Sequence, residues 1–384
     1  MNINTLKKTN TKNKFIPVNE PLFIGNEKKY LNECIDTGWI SSDGPFVQQF
    51  EELFAQKVSR KHGVAVCNGS VALDVAILAL GIGAGDEVIM PTFTIISCAA
   101  AIVRAGATPV LVDCDPETWN IDVTKIEEKI TKRTKAIMVV HLYGLPADMD
   151  PIIKLAQKYN LKIIEDAAEA IGLKYKNNMC GSFGDISTFS FYANKHTTTG
   201  EGGMIMTNDD AISTKCRSLR NLCFKPEQRF IHEELGFNYR ITNLQAAVGL
   251  AQLENLDLFV TKKQTMGKLY TQLLSPLETY CQLPIEQTNY AKNIYWVFGL
   301  VLKQNVTYDA PQIMAKLSEK NIGTRPFFWP MHEQPVFHKM GLFKNEKYPI
   351  SENIARRGFY LPSGLSLTKE QINHVAKILK ETLL

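Results

Sequence analysis

The sequence has no C-x-x-C pair among its eight cysteines and no H-E-x-x-H or other ligand spacing among its seven histidines. Neither a zinc centre nor a disulfide framework organises such a chain, and no metal site is expected. Cys34, Cys67, Cys98, Cys114, Cys180, Cys216, Cys223 and Cys281 are scattered through mostly apolar runs and read as reduced thiols of a cytoplasmic protein. No apolar stretch is long enough to cross a bilayer, and the start lacks a signal-type run, so no membrane association is expected. Acid is absent between Met1 and Lys14, where Lys7, Lys8, Lys12 and Lys14 account for the whole formal net charge of +4. The rest of the chain is charge-balanced and shows no phosphate-backbone footprint, which excludes nucleic acid as an expected partner. Internal repeats and low-complexity segments are missing too.

What is present is a length of 384 residues, 45% of them hydrophobic. That exceeds what one compact core usually holds, so the expected division is a flexible basic tail over 1–14, a large domain over 15–255 and a smaller C-terminal domain over 256–384. Between Lys61 and Asn208 short apolar runs alternate with helical segments: "GVAV", "EVIM", "TPVLVD", "AIMVVHL", "LKIIED", "ISTFSF" and "GMIMT". They are continuous rather than alternating, which predicts burial on both faces and an α/β fold with a mostly parallel sheet flanked by helices. One helix opens at Asn68 and stops at Gly81, and Asp150-Pro151 reads as a cap followed by proline. In "ITNLQAAVGLAQLENLDLF" Thr242 and Gln245 form a capping box, and Leu244, Ala247, Val248 and Ala251 form one apolar face. The smaller domain is expected to hold a strand at "IYWVFGLVL", a helix near Pro311 to Lys320 and a closing helix from Thr368.

Ligands of parallel α/β sheets sit beyond the carboxyl ends of the strands. Three polar signals fall there: Asn68-Gly69-Ser70, Glu165-Asp166, and the stretch "STFSFYANKHTTTGEGGM" that contains Lys195. A lone lysine in a turn is ordinarily a solvated charge. With Ser190 before it, a glycine cluster after it and a strand-end aspartate upstream, Lys195 suits a carbonyl cofactor instead. Such a cofactor needs amides and hydroxyls for a phosphate, which the Gly69-Ser70 helix start offers. It needs a carboxylate such as Asp166 to keep a ring nitrogen protonated. It also needs an amine that loses its proton readily, which burial favours.

Together, "NGSVAL", "GDEVIMPTFT", "VHLYG", "EDAAEA", "SFYANKHTTTGEGGM" and "GFNYRITNLQAA" resemble the DegT-type sugar aminotransferases, fold-type-I enzymes that use pyridoxal 5′-phosphate (PLP), which cycles with its pyridoxamine form (PMP). The similarity runs from about Phe15 to the C-terminus. It implies that Lys195 carries the cofactor covalently and shuttles protons, Asp166 pairs with the ring nitrogen and Glu169 hydrogen-bonds the ring hydroxyl. By the same resemblance Ala168 packs on the ring, Gly69, Ser70 and Ser190 hold the phosphate, and Asn238 reaches the phosphate of a neighbouring subunit, which makes a homodimer with shared active sites. Each residue has a plainer reading: Asp166 suits a strand-end turn, Ser70 a helix cap, and Asn238 the turn before Thr242. The family's ring-stacking aromatic is replaced by Ile95, and Phe93 lies close enough in sequence to be considered for that face.

Related sugar dehydratases have histidine at the lysine position, and alignment on G-E-G-G puts Lys195, not His196, in that slot. Transamination is therefore expected. The segments "GWISSDGPFV", "HLYGLPADMD", "GDISTFSF" and "TRPFFWPMH" point to the family branch that moves the amino group of L-glutamate to C4 of a nucleotide-linked 4-keto-6-deoxyhexose for surface-polysaccharide (lipopolysaccharide O-antigen) amino sugars. Trp39, Ser41 and Ser42 are candidate sugar contacts, although a "GW" before a turn is as often a packing feature. His141, Arg325 and His332 are candidate partners for carboxylate or diphosphate, with a structural ion pair equally open for Arg325. A 3-ketosugar aminotransferase, a sugar dehydratase and a non-catalytic PLP-binding regulator remain alternatives.

Overall fold

The computed structural model describes residues 15–225 and 227–384. The basic segment 1–14 lies outside the described residues. All seven apolar runs become strands: β1 (His62–Val66), β2 (Glu87–Pro91), β3 (Thr108–Val112), β4 (Thr134–Val140), β5 (Lys162–Asp166), then, after a small hairpin of β6 (Lys174–Tyr175) and β7 (Asn178–Met179), β8 (Ile186–Ser190) and β9 (Gly203–Thr207). The seven form one sheet in the order β1-β9-β8-β5-β4-β2-β3. β8, β5, β4, β2 and β3 pair in parallel. β9 is antiparallel to both neighbours, so β1 runs the same way as the parallel set. The carboxyl ends of β1, β2, β5 and β8 therefore open on one edge. β2 and β9 are buried along their whole length, as runs without polar alternation require.

Helices cover both faces: α1 (Glu27–Thr37), α2 (Pro45–Val58), α3 (Gly69–Ala79), α4 (Ile96–Arg104), α5 (Met149–Tyr159), α6 (Asp210–Arg220) and α7 (Asn243–Leu253). Asn68 caps α3 by accepting from the Val71 amide. The capping box of Thr242 and Gln245 forms in both directions. Two readings need correction. α5 starts one residue before Asp150, with Asp148 at the cap, so Asp150 and Pro151 lie in its first turn. "ITNLQAAVGLAQLENLDLF" is not one helix: the chain turns at Glu254-Asn255 and α8 (Leu256–Leu274) begins. The buried side of α7 is Ala246, Ala247, Leu250 and Ala251, leaving Leu244 and Val248 half-buried, because α1 and α2 both pack against it.

After α8 comes a second, antiparallel sheet of β10 (Cys281–Gln282), β11 (Phe298–Leu302), β12 (Arg325–Pro326) and β13 (Gly358–Leu361), ordered β10-β11-β13-β12. The helices α9 (Ala310–Glu319), α10 (Pro335–Lys339), α11 (Pro349–Arg357) and α12 (Lys369–Leu383) complete this part. The strand expected over "IYWVFGLVL" covers only Phe298–Leu302; Ile294 to Val297 are irregular and reach back toward the first sheet. Ile16 bridges to Ile322 and packs in the second core, so the start of the described chain lies with the C-terminal elements. Among the described residues no helix is long and apolar enough to cross a membrane.

Candidate active site

The shared edge of β1, β2, β5 and β8 borders a cavity of about 710 Å³. Its lining includes Gly69, Ser70, Asp166, Ala168, Glu169, Ser190 and Lys195, which come from three separate stretches of sequence. Asp166 ends β5 and its carboxylate points to the cavity side, while Glu165, one residue earlier, faces the opposite way as the pleat dictates. Glu165 is fully buried among the amides of Gly181 (2.7 Å), Phe183 (2.6 Å) and Gly184 (2.6 Å). Asp166 Oδ1 accepts from the Ala168 amide (3.1 Å) and Oδ2 from the Cys98 thiol (3.1 Å). Burial pushes the Cys98 thiol well up, so it stays a protonated donor.

Lys195 sits in the loop after β8. Its amide donates to Tyr192 O (2.9 Å), and Gly200 turns with φ 81°, a left-handed conformation that favours glycine. The flanking hydroxyls serve this loop: Thr198 Oγ1 donates to Phe191 O (2.8 Å) and Thr199 Oγ1 to Glu201 O (2.7 Å). Lys195 Nζ lies 3.8 Å from Glu169 Oε1 and 4.1 Å from the centre of the Trp296 ring. Burial lowers the affinity of this amine for its proton, against the pull of Glu169 and Asp166. Burial likewise raises the Glu169 carboxyl, against the charge of Lys195. Glu169 Oε2 is held by the Tyr143 amide (2.8 Å). His196 is turned away from the cavity and buried, with Nε2 against Ile294 O (3.3 Å), and burial pushes it down to about 3.

The opposite end of the cavity is a cradle of backbone and hydroxyls. A Cβ added to Gly69 would lie 2.7 Å from Ser190 Cβ, so only glycine lets the start of α3 come this close to the end of β8. The first amides of a helix have no intrahelical acceptor and favour an anion. Ser70 Oγ contacts Ser97 Oγ at 2.7 Å beside them, and the buried Asn194 Oδ1 lacks a hydrogen-bond partner. A phosphate donor set, a strand-end carboxylate and a buried amine with depressed basicity fit PLP. Ile95, 42% exposed at the cap of α4, lines the cavity. Phe93 does not; it is fully buried against Tyr143, Phe327 and Phe328.

The remaining candidates lie elsewhere. His141 is buried outside the cavity, with Nε2 on Glu165 (3.2 Å) and Nδ1 accepting from the Ala147 amide (3.3 Å). His332 is buried between Thr92 Oγ1 (2.8 Å) and Glu352 Oε1 (3.1 Å). Both rings are fully engaged, which leaves neither a free donor for a substrate anion. Arg325 is exposed, pairs in register with the cavity-lining Tyr360 and donates to Thr324 O (3.1 Å), with no ion-pair partner among the described residues. Trp39 and Ser41 are tied to the start of α7 through their carbonyls, which accept from Asn243 Nδ2 (2.6 Å) and N (2.7 Å). Ser42 borders a separate polar cleft with Glu51, Arg217 and Arg220. Asn238 is exposed, bridges to Asn221 and is not among the residues lining the cavity of its own chain. Cys98, Asn194 and Trp296 escaped the sequence reading. Cys98 lies three residues after Ile95, whereas nothing in "NIYWVFGL" marks Trp296 as a neighbour of a lysine 101 positions earlier.

Residues 23–380 match the DegT/DnrJ/EryC1/StrS aminotransferase family model. The chain is 43% identical over 371 residues to a GDP-perosamine synthase of Escherichia coli O157:H7, covering 96% of this chain and 98% of that protein. It is 44% identical over 368 residues to a GDP-perosamine synthase of Caulobacter vibrioides, with the same coverage. The crystal structure of an aminotransferase from Psychrobacter cryohalolentis superposes with a TM-score of 0.89 at 30% identity, covering 96% of this chain and 98% of that one. With the family model spanning nearly the whole chain and Lys195, Asp166 and Glu169 gathered at the edge of its sheet, this protein belongs to the DegT/DnrJ/EryC1/StrS aminotransferase family.

Proposed function

We propose that this PLP-dependent sugar aminotransferase transfers the amino group of L-glutamate to C4 of a GDP-linked 4-keto-6-deoxyhexose, in the manner of the GDP-perosamine synthases, in cytoplasmic synthesis of an amino sugar for the lipopolysaccharide O-antigen. The observation that carries the reading is Lys195 Nζ in one cavity with Asp166 and Glu169, beside a helix start whose first residue, Gly69, has no side chain. When bound, PLP supplies an aldehyde carbon and an electron-accepting ring. Lys195 is its covalent attachment point, and between attachments Nζ takes and returns the proton at the substrate carbon. The Asp166 carboxylate would keep the ring nitrogen protonated, and its partners Cys98 and Ala168 keep that carboxylate from turning. Glu169 would hydrogen-bond the ring hydroxyl, Ala168 would pack on the ring, and Gly69, Ser70 and Ser190 would hold the phosphate. Arg325 meets a carboxylate or diphosphate of the substrate, a role supported by its exposure and its strand pairing with the cavity-lining Tyr360. That Lys195 rather than His196 faces the cavity supports transamination over dehydration.

The working unit is a homodimer in which Asn238 of one protomer enters the cavity of the other, with Trp39, Ser41 and Ser42 following from the same side. Support comes from the absence of these residues from the cavity lining of their own chain, and from large apolar side chains left exposed among or near them in sequence: Trp39 at 52%, Phe230 at 81% and Leu235 at 91%. The division into a large unit over 15–255 and a small one over 256–384 follows the two sheets, with Ile16 packing on the smaller.

The test is a panel of GDP-, dTDP- and UDP-linked 4-ketosugars and a 3-ketosugar with glutamate, products identified by mass and NMR. Amination at C4 of the GDP-linked sugar is the expected result. Amination at C3, loss of water from the sugar, or no turnover with any acceptor overturns the substrate assignment.

A further inference from the structure

Resting on the assignment of Lys195 as the attachment lysine, we infer that the indole face of Trp296 is the docking position of the Lys195 amine whenever that amine is not engaged with the cofactor. An aminotransferase lysine alternates between a bound and a released amine, and a released, flexible side chain must be kept at the reacting carbon rather than lost to solvent. Trp296 provides the wall. Its ring centre lies 4.1 Å from Nζ, within reach of a cation–π contact, and it lines the same cavity.

The ring is fixed from three sides. Its Nε1–H donates to Asn194 O (2.9 Å), in the residue just before Lys195, so lysine and wall are fastened together. Its own carbonyl accepts from Lys263 Nζ (2.8 Å), a lysine of α8 that is 1% exposed and also donates to Ser363 O. Its face is stacked on Tyr143, ring centres 6.0 Å apart and 14° from parallel, and the Tyr143 amide holds Glu169. Indole and Glu169 thus receive the amine from two directions.

The groups that bear on this amine are Glu169 at 3.8 Å, Asp166, the Cys98 thiol and the neighbouring His196, with the Tyr360 phenol lining the same cavity. The indole differs from Glu169 and Asp166 in favouring the ammonium without carrying charge. Its removal therefore makes the amine less basic while every charge stays in place.

The test uses the full-length apoprotein, wild type, Trp296→Leu and Trp296→Phe, with folding checked by circular dichroism. Trace acetic anhydride acetylates each free amine in proportion to its unprotonated fraction, releasing acetate, and peptide mass spectrometry follows Lys195 across pH. Trp296→Leu is expected to lower the midpoint for Lys195 by about 0.5–1.5 units, with Trp296→Phe between. Near neutral pH the Leu variant then reacts about 3–30-fold faster at Lys195, with the other lysines unchanged. An unchanged midpoint in both variants, or equal shifts at distant lysines, overturns the docking role; should the Leu variant not fold, the Phe variant alone decides. PLP is then added to the same samples. If the midpoint shifts as expected but wild type takes up no PLP at Lys195, the docking contact stands and the functional assignment falls.

Discussion

Gly69→Ala separates cofactor binding from folding. The added carbon would sit 2.7 Å from Ser190 Cβ, 3.2 Å from Ser190 Oγ and 3.3 Å from Ser190 Cα. Carbon atoms rest at about 3.5–4.0 Å, so the start of α3 and the end of β8 must part by about 1 Å. Neither is the tip of a flexible side chain, and overpacking of this kind costs about 1–3 kcal/mol, partly offset by the roughly 0.5–1 kcal/mol that alanine gains over glycine in a helix. Opening the cradle also misaligns the amides and hydroxyls for the phosphate, and each hydrogen bond to a charged group is worth about 1.5–3 kcal/mol. Loss of one such bond weakens PLP binding about 10–100-fold, while the apoprotein loses at most about 2.5 kcal/mol of stability. Gly81→Ala is the control: φ there is 69°, so alanine is strained, but nothing lies within 4 Å of the added carbon. The control should lower stability by about 1 kcal/mol and leave PLP affinity unchanged. Absorbance titration with PLP and thermal melting of the apoproteins give the two quantities. Wild-type affinity in Gly69→Ala, or equal affinity losses in both variants, refutes the phosphate cradle.

Ile95→Phe restores an aromatic to the cavity wall where Ile95 is 42% exposed and has room to grow. A gain of about 0.5–1.5 kcal/mol from ring stacking predicts about 2–12-fold tighter PLP binding in the same titration, and weaker binding would show that this wall does not meet the ring. Burial pushes Lys263 down to about 7 from its usual 10.5, so between those values the unfolded chain holds a proton that the folded chain has shed. Wild-type stability therefore rises with pH across that window relative to Lys263→Met, by on the order of a few kcal/mol, and the difference is constant below it. Urea unfolding of both proteins at a series of pH values checks this; a difference that falls between pH 7 and 10.5 contradicts the sign.

Local physics made much of the fold legible. Continuous β-branched runs became the seven buried strands, and the capping pairs at Thr242 and Gln245 formed as written. Boundaries failed where a tertiary partner decides them. Ile294 to Val297 look as strand-like as Phe298, yet they leave the second sheet to place Trp296 beside Lys195. The run after Leu253 is apolar enough to continue a helix, but the chain turns there toward the second core. That Lys195, Asp166 and Gly69 would border one cavity was readable because strand ends gather at one edge. His141 and His332 looked equally chemical, and only the packed structure shows Glu165, Thr92 and Glu352 consuming their nitrogens. Cys98 is invisible as a partner of Asp166 until the first turn of α4 is laid beside the end of β5.

Borohydride reduction of the purified protein with PLP, followed by peptide mapping, tests most directly whether this cavity holds the cofactor as assigned. A single phosphopyridoxyl group on the peptide containing Lys195, absent from Lys195→Ala, is the predicted result. Labelling of another lysine, or no label on any, contradicts it.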